Sequence, residues 1–213
     1  MPGETAGSGR VPIRSSDDAT TEIGHHFAGL AALGREAHAF FQANCRNIAP
    51  MMEKGTRASL YRDIIVRKLR DYCDATKGAH LLRKNQLTLV GLESRYALRV
   101  KRLAAGFSVG VSPTHASAQY DANRLPDYAA GLFPEAPAAT LLYFGWSIPE
   151  NAPGDFKMYL VCNDANREVL WAISLDDGED DGRGIPAPLP FDGEDDGVGI
   201  RVVVKANERK ANG

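Results

Sequence analysis

Apolar and polar positions along this chain follow a helical period first and a strand period afterwards. Between residues 17 and 47, Ile23, Phe27, Leu30, Gly34, Ala37 and Phe41 recur every three or four places. That spacing draws one apolar stripe and predicts a helix. Asp17, Thr20 or Thr21 can cap its start, and Glu22 falls in the first turn, where the helix dipole favours a carboxylate. Gly24, Gly29 and Gly34 each lower helix propensity by about 1 kcal/mol relative to alanine. Tertiary contacts must therefore hold this helix, and its small residues invite close approach by a second one. Pro50 and Gly55 punctuate the chain. Leu60, Tyr61, Ile64, Ile65, Leu69, Tyr72 and Cys73 then form a second seam, predicting a helix from Thr56 or Ser59 to Lys77. Gly78 suits the left-handed position beyond its end. The two helices are expected to form an antiparallel pair.

From Leu87 the period becomes two. Residues 87–102 read as two short strands joined at 91–94. In the second, Tyr96, Leu98 and Val100 point one way, while Arg95, Ala97, Arg99 and Lys101 point the other. A further strand is expected at 107–111, an ordered loop with one turn of helix at 112–137, and a three-stranded antiparallel meander at 140–146, 155–163 and 168–175. An acidic, glycine- and proline-rich stretch at 176–199 precedes a last strand at 200–205. The expected fold is α+β: an N-terminal helical pair packed on a mostly antiparallel β-sheet of five or six strands. Residues 1–16 read as a disordered lead-in, 17–206 as one domain (helical over 17–80, β-rich over 86–206) and 207–213 as a frayed tail.

Composition adds limits. An apolar content of 44% with 24% charged residues fits a soluble globular protein. No run of about 18 apolar residues suggests a membrane span, and the first residues lack the basic start and apolar centre of a secretory signal. Cys45, Cys73 and Cys162 are odd in number and far apart, which points to plain thiols in a reducing cytoplasm. The net charge of −2 hides a split. Residues 54–102 hold 13 Lys and Arg against 4 Asp and Glu, and residues 150–200 hold 3 against 13. Such asymmetry suggests a polyanionic partner, or mutual neutralisation of the two parts.

The charge pattern supplies candidates for binding more than for catalysis. Arg62, Arg67 and Arg70 on the second helix, Arg83 and Lys84 on the link after it, and Arg95, Arg99 and Lys101 on the basic strand could share one surface for phosphates or an acidic protein. Glu93, Asp63 and Lys101 are the candidates for a Mg²⁺-dependent nucleic-acid-cleaving site, but Lys101 is preceded by Arg99 where such a site wants a carboxylate. Asp-Gly-Glu-Asp-Asp-Gly occurs twice, at 177–182 and 192–197. Its Asp177, Glu179, Asp181, Asp192, Glu194 and Asp196 suggest a cation site, yet position 12 of an EF-hand loop falls on Pro188 or Val203, which excludes that pattern. A solvated acidic loop, or one that mimics a polyanion against the basic face, are the alternatives. His25, His26, His38, His80 and His115 show no ligand spacing. His25 and His26 are expected at the surface, and His38 in a half-buried hydrogen bond. No nucleotide-binding or hydrolase motif is present, and no cofactor is implied.

Three segments carry a resemblance: Gly-Leu-Glu-Ser-Arg-Tyr-Ala-Leu-Arg-Val-Lys-Arg at 91–102, Asn-Arg-Leu-Pro-Asp-Tyr-Ala-Ala-Gly-Leu-Phe-Pro at 123–134, and Ala-Thr-Leu-Leu-Tyr-Phe-Gly-Trp at 139–146. In this order they resemble an uncharacterised bacterial protein family often encoded beside helix-turn-helix/metallopeptidase-like regulators. The likeness covers about 87–175; Trp146 keeps the family's aromatic after glycine, while Phe133 replaces its glycine. The resemblance implies one member of a regulatory gene pair, such as a toxin–antitoxin or phage-response module, and implies no reaction. The expected function is a small cytoplasmic interaction protein with a protein partner or self-association, nucleic acid as the competing partner, and no membrane. A Mg²⁺-dependent nuclease is the alternative.

Overall fold

The computed structural model describes residues 13–84, 87–110, 114–124, 139–148 and 155–176. The lead-in before residue 13, the acidic residues Asp177, Glu179, Asp181, Asp192, Glu194 and Asp196, the strand expected at 200–205 and the tail at 207–213 lie outside them.

The folded unit starts earlier than the sequence pattern suggests. Ser15, and none of the expected residues, caps α1 (Ser16–Ile23). Its hydroxyl accepts from the Asp18 backbone N–H, and the Asp18 carboxylate accepts in return from the Ser15 N–H. Arg14 is fixed as well: its carbonyl accepts from Trp171 Nε1 at 3.0 Å. The long helix expected from 17 to 47 breaks at Gly24 into one 3₁₀ turn, Gly24–His26, before α2 (Phe27–Cys45) continues. Glycine weakens the helix there, and the tighter turn carries the buried His26 inward. Ile23, Leu30, Gly34, Ala37 and Phe41 of the predicted stripe are buried, joined by Ala19, while Phe27 is half-buried.

After a proline-containing 3₁₀ turn at Ala49–Met51, α3 (Lys54–Ala75) buries Tyr61, Ile65 and Leu69, four places apart. It runs antiparallel to α2. Phe41 stacks on Tyr61 at 4.0 Å near one end, and Lys68 meets Glu36 at 2.7 Å further along. Gly78, at φ +82°, turns the chain out of α3 into the sheet.

The sheet is mixed and mostly antiparallel, with six strands among the described residues, in sequence order: β1 (Ala79–Lys84), β2 (Leu87–Leu92), β3 (Tyr96–Arg102), β4 (Thr140–Ser147), β5 (Lys157–Asn163) and β6 (Val169–Ser174). β1 takes residues expected to be helix end and link. It pairs with β2 from Ala79↔Leu92 to Lys84↔Leu87 and forms one edge. The β4–β5–β6 meander stands where the strand-forming runs and the turns between them place it. β3 and β4 are parallel, so the chain between them must cross over a face of the sheet. That crossover holds α4 (His115–Asp121); the strand expected at 107–111 reduces to a single bridge, Leu103↔Val109.

Two apolar layers result. Leu98, Leu142, Phe144, Met158 and Leu160 face α1–α3 in the larger one. Leu89, Ala97, Leu141, Tyr143 and Val161 face the other way, towards Phe107 and Tyr120 of the crossover. No helix among the described residues is long and apolar enough to cross a membrane.

Candidate functional site

The residues expected to make one basic surface are divided by the sheet. Arg62, Arg67 and Arg70 lie on α3, which covers one face; Arg99 and Lys101 project from β3 into the other. Beneath the crossover, the Arg99 guanidinium donates to Ser117 Oγ at 3.2 Å and lies over the Tyr120 ring at 5.5 Å. Lys101 Nζ donates to the Gly110 carbonyl at 3.3 Å. Burial, reinforced by the positive charge of Arg99, pushes the Lys101 ammonium down to about 8. The strand therefore offers no open row of cations. The parallel β3–β4 pairing explains this correction, because its crossover lies over the face that alternation alone assigns to solvent.

Arg95 is also engaged. It pairs with Glu22, which also meets Arg14 at 3.2 Å and accepts from the Tyr96 hydroxyl at 2.9 Å. The remaining cations are more accessible. Arg62 meets Asp63 at 3.3 Å and Arg67 meets Asp71 at 3.8 Å, both as surface pairs of little net strength. Arg70 on α3 and Arg83 on β1 are exposed, and Lys84 ends β1.

The cleavage candidates do not converge. Glu93 sits in the β2–β3 turn, Lys101 near the opposite end of β3, and Asp63 on the outside of α3. The carboxylate whose field reaches Lys101 is Asp121. Asp121 is 5% exposed and accepts from the Tyr143 hydroxyl, whose own ionisation burial and Asp121 both suppress. Around it, the Tyr120 hydroxyl lies 2.7 Å from the carbonyls of both Ala97 and Leu142. Asn123 joins the network by accepting from the Leu141 N–H and donating to the Asn163 carbonyl. These groups anchor the crossover to the parallel pair.

A different set does converge. His25 Nε2 lies 3.1 Å and His26 Nε2 3.2 Å from the same atom, Glu93 Oε1. His26 Nδ1 meets the Tyr72 hydroxyl at 2.7 Å. His25 is exposed as expected, whereas His26 is 1% exposed because the 3₁₀ turn aims it at α3. Burial lowers the His26 pKa more than the neighbouring Glu93 raises it. Partial burial works to raise the Glu93 carboxyl, but hydrogen bonds to His26 and His25 outweigh it and hold the carboxyl below its usual range. His38 makes its half-buried bond to the Tyr61 hydroxyl at 2.9 Å. Among the described residues, His25, His26 and Glu93 are the group that brings three metal-capable atoms together, all within 4.8 Å of one another. Sequence spacing gives no sign of it, since the carboxylate arrives from 67 residues beyond His26.

Comparison with known proteins finds no matching family model, no similar curated protein and no similar solved structure.

Proposed function

We propose that this protein is a small cytoplasmic interaction module that docks an acidic protein partner at the α2–α3 end of its helical layer. One observation carries the proposal. Four large apolar side chains are exposed among the described residues, and three of them, Phe40, Ile48 and Met51, fall within twelve residues at that end. Met51 is 78% exposed. Arg46 and Lys54 are exposed beside them in the chain, and Arg57 is half-buried. Apolar anchors with arginine around them have the composition of a protein interface. Arg67 and Arg70 extend the positive character along α3. Cys45, Cys73 and Cys162 are all free thiols, which supports a reducing compartment. The role as one member of a bacterial regulatory pair rests on the resemblance over 87–175.

Nucleic acid is the competing partner, and salt separates the two. A phosphate-binding face loses affinity steeply between about 50 and about 200 mM salt, and Arg67→Glu with Arg70→Glu abolishes what it binds. A protein interface centred on apolar anchors keeps its partner over that range and loses it in Met51→Glu with Phe40→Ala. The experiment is quantitative co-purification of the wild type and both double variants from the native host, beside titration with labelled duplex DNA and RNA. Nucleic-acid binding lost in the arginine variant, with no partner protein dependent on Met51 and Phe40, would overturn the proposal.

A further inference from the structure

We infer that His25, His26 and Glu93 form a site for one divalent transition-metal ion of the zinc class, with a fourth position open to solvent. The spacing fits. A four-coordinate zinc site has bonds of about 2.0–2.2 Å, so its ligand atoms stand about 3.3 Å apart. Each imidazole Nε2 already lies 3.1 or 3.2 Å from Glu93 Oε1. All three ligand atoms lie within 4.8 Å of one another, so an ion bound by the three draws them towards a common centre.

The proton that an ion must displace has a place to go. A ligating histidine carries its hydrogen on the other ring nitrogen and donates it to a supporting group. For His26 that nitrogen is Nδ1, and the Tyr72 hydroxyl stands 2.7 Å away. The phenol oxygen has a lone pair with which to accept this hydrogen. In the metal-free site Nε2–H donates to the Glu93 carboxylate; an ion that replaces this hydrogen leaves His26 in the tautomer that carries its hydrogen on Nδ1, facing Tyr72.

The chain is shaped around the three groups. Glu93 and Ser94 hold φ of +49° and +53°, a region that non-glycine residues seldom occupy. The Glu93 backbone N–H donates to the Gly78 carbonyl at 2.8 Å, which locks the turn. A Cβ at Gly78 would collide with the Glu93 carboxylate, and one at Gly29 would lie 2.7 Å from Tyr72 Cε2. Two glycines thereby clear space for a ligand and for the group that supports another.

The donor set selects the metal class. Two imidazoles and one carboxylate suit zinc, cobalt or nickel, whereas magnesium and calcium want oxygen ligands. With the His25 side chain 58% exposed and the Glu93 side chain 37% exposed, the site is open to an entering ion and to a further water or anion.

The test uses the full chain without a polyhistidine tag, stripped with a chelator. Zn²⁺ binding is followed by calorimetry, and Co²⁺ binding by its visible ligand-field absorption. The expected result is one ion per chain at the site, a four-coordinate Co²⁺ spectrum and no comparable binding of Mg²⁺. His25→Ala and Glu93→Gln, both at partly exposed positions, remove that binding while the circular dichroism stays native. Tyr72→Phe retains the stoichiometry but weakens affinity about 10- to 100-fold, as loss of a supporting hydrogen bond does. His115→Ala changes nothing. Absence of Zn²⁺ binding in the wild type, Zn²⁺ binding undiminished in His25→Ala and Glu93→Gln, or equal binding of Mg²⁺ would each overturn the inference.

Discussion

The two faces of the sheet are built from the same strands and solve burial differently. Towards α1–α3 the strands present Leu98, Val100, Leu142, Phe144, Met158 and Leu160 to an apolar core. Towards α4 they present Tyr143, Arg99 and Lys101, and the crossover supplies Tyr120, Asp121 and Ser117. The first face gains stability mainly from apolar area. The second gains less from area and depends on each polar group finding its partner. Alternation in β3 puts both kinds of residue on one strand, so the difference lies in what covers each face.

The sharpest way to break this comparison is to remove one large side chain from the apolar side. Phe144 is fully buried there. Phe144→Ala is expected to cost about 3–5 kcal/mol, read as a lower midpoint in urea unfolding. A loss below about 1 kcal/mol would mean that this layer is loosely packed and that the two faces are not energetically distinct.

Much of the first face was legible in the sequence, and much of the second was not. The stripe of α2 and the seam of α3 follow from spacing alone, since each helix needs only one apolar side. Alternation places β3, and runs of strand-forming residues between turns place β2, β4, β5 and β6. β1 leaves no such mark, because Ala-His-Leu-Leu-Arg-Lys has no clean alternation and becomes a strand through pairing with β2. The covered state of Arg99 and Lys101 depends on β4 lying parallel to β3, and strand direction leaves no mark in a two-residue period. His26 and Glu93 were illegible as a pair for a similar reason: the β2–β3 turn and the 3₁₀ turn meet only in three dimensions.

A smaller effect is expected from loosening the crossover. Tyr120→Phe keeps the buried ring and removes the hydroxyl that lies against the Ala97 and Leu142 carbonyls. Leaving buried carbonyls without that donor costs about 1–3 kcal/mol. Amide hydrogen exchange should rise first in α4, with the amides of α2 and α3 unaffected. Uniform acceleration throughout the chain would show that the crossover is not a separate layer but part of a single cooperative core.

Relieving a buried charge should act in the opposite direction. Lys101→Met removes an ammonium that sits half-buried beside Arg99. At neutral pH the variant is expected to melt about 2–4 °C higher, corresponding to about 1 kcal/mol in a chain of this length. A lower Tm would mean that the bond to the Gly110 carbonyl outweighs the desolvation of the charge.

The smallest effect is also the one that tells the faces apart without disturbing either core. Each face holds a basic group with a depressed pKa: His38 on the α1–α3 side, lowered by burial, and Lys101 on the α4 side, lowered to about 8 first by burial. The sign is the same for both. The unfolded chain binds the proton more readily, so stability rises with pH across the interval between the folded and unfolded values. The intervals are separate. For His38 the interval lies below the ordinary histidine value of 6.5, and for Lys101 it runs from about 8 to the ordinary 10.5. His38→Gln should therefore flatten the fall in stability below about pH 6.5 and leave the alkaline side unchanged. Lys101→Met should flatten the rise above about pH 8 and leave the acid side unchanged. Urea unfolding at closely spaced pH values measures both slopes. If either substitution alters both intervals, the two groups are coupled through the sheet, and the faces titrate as one unit.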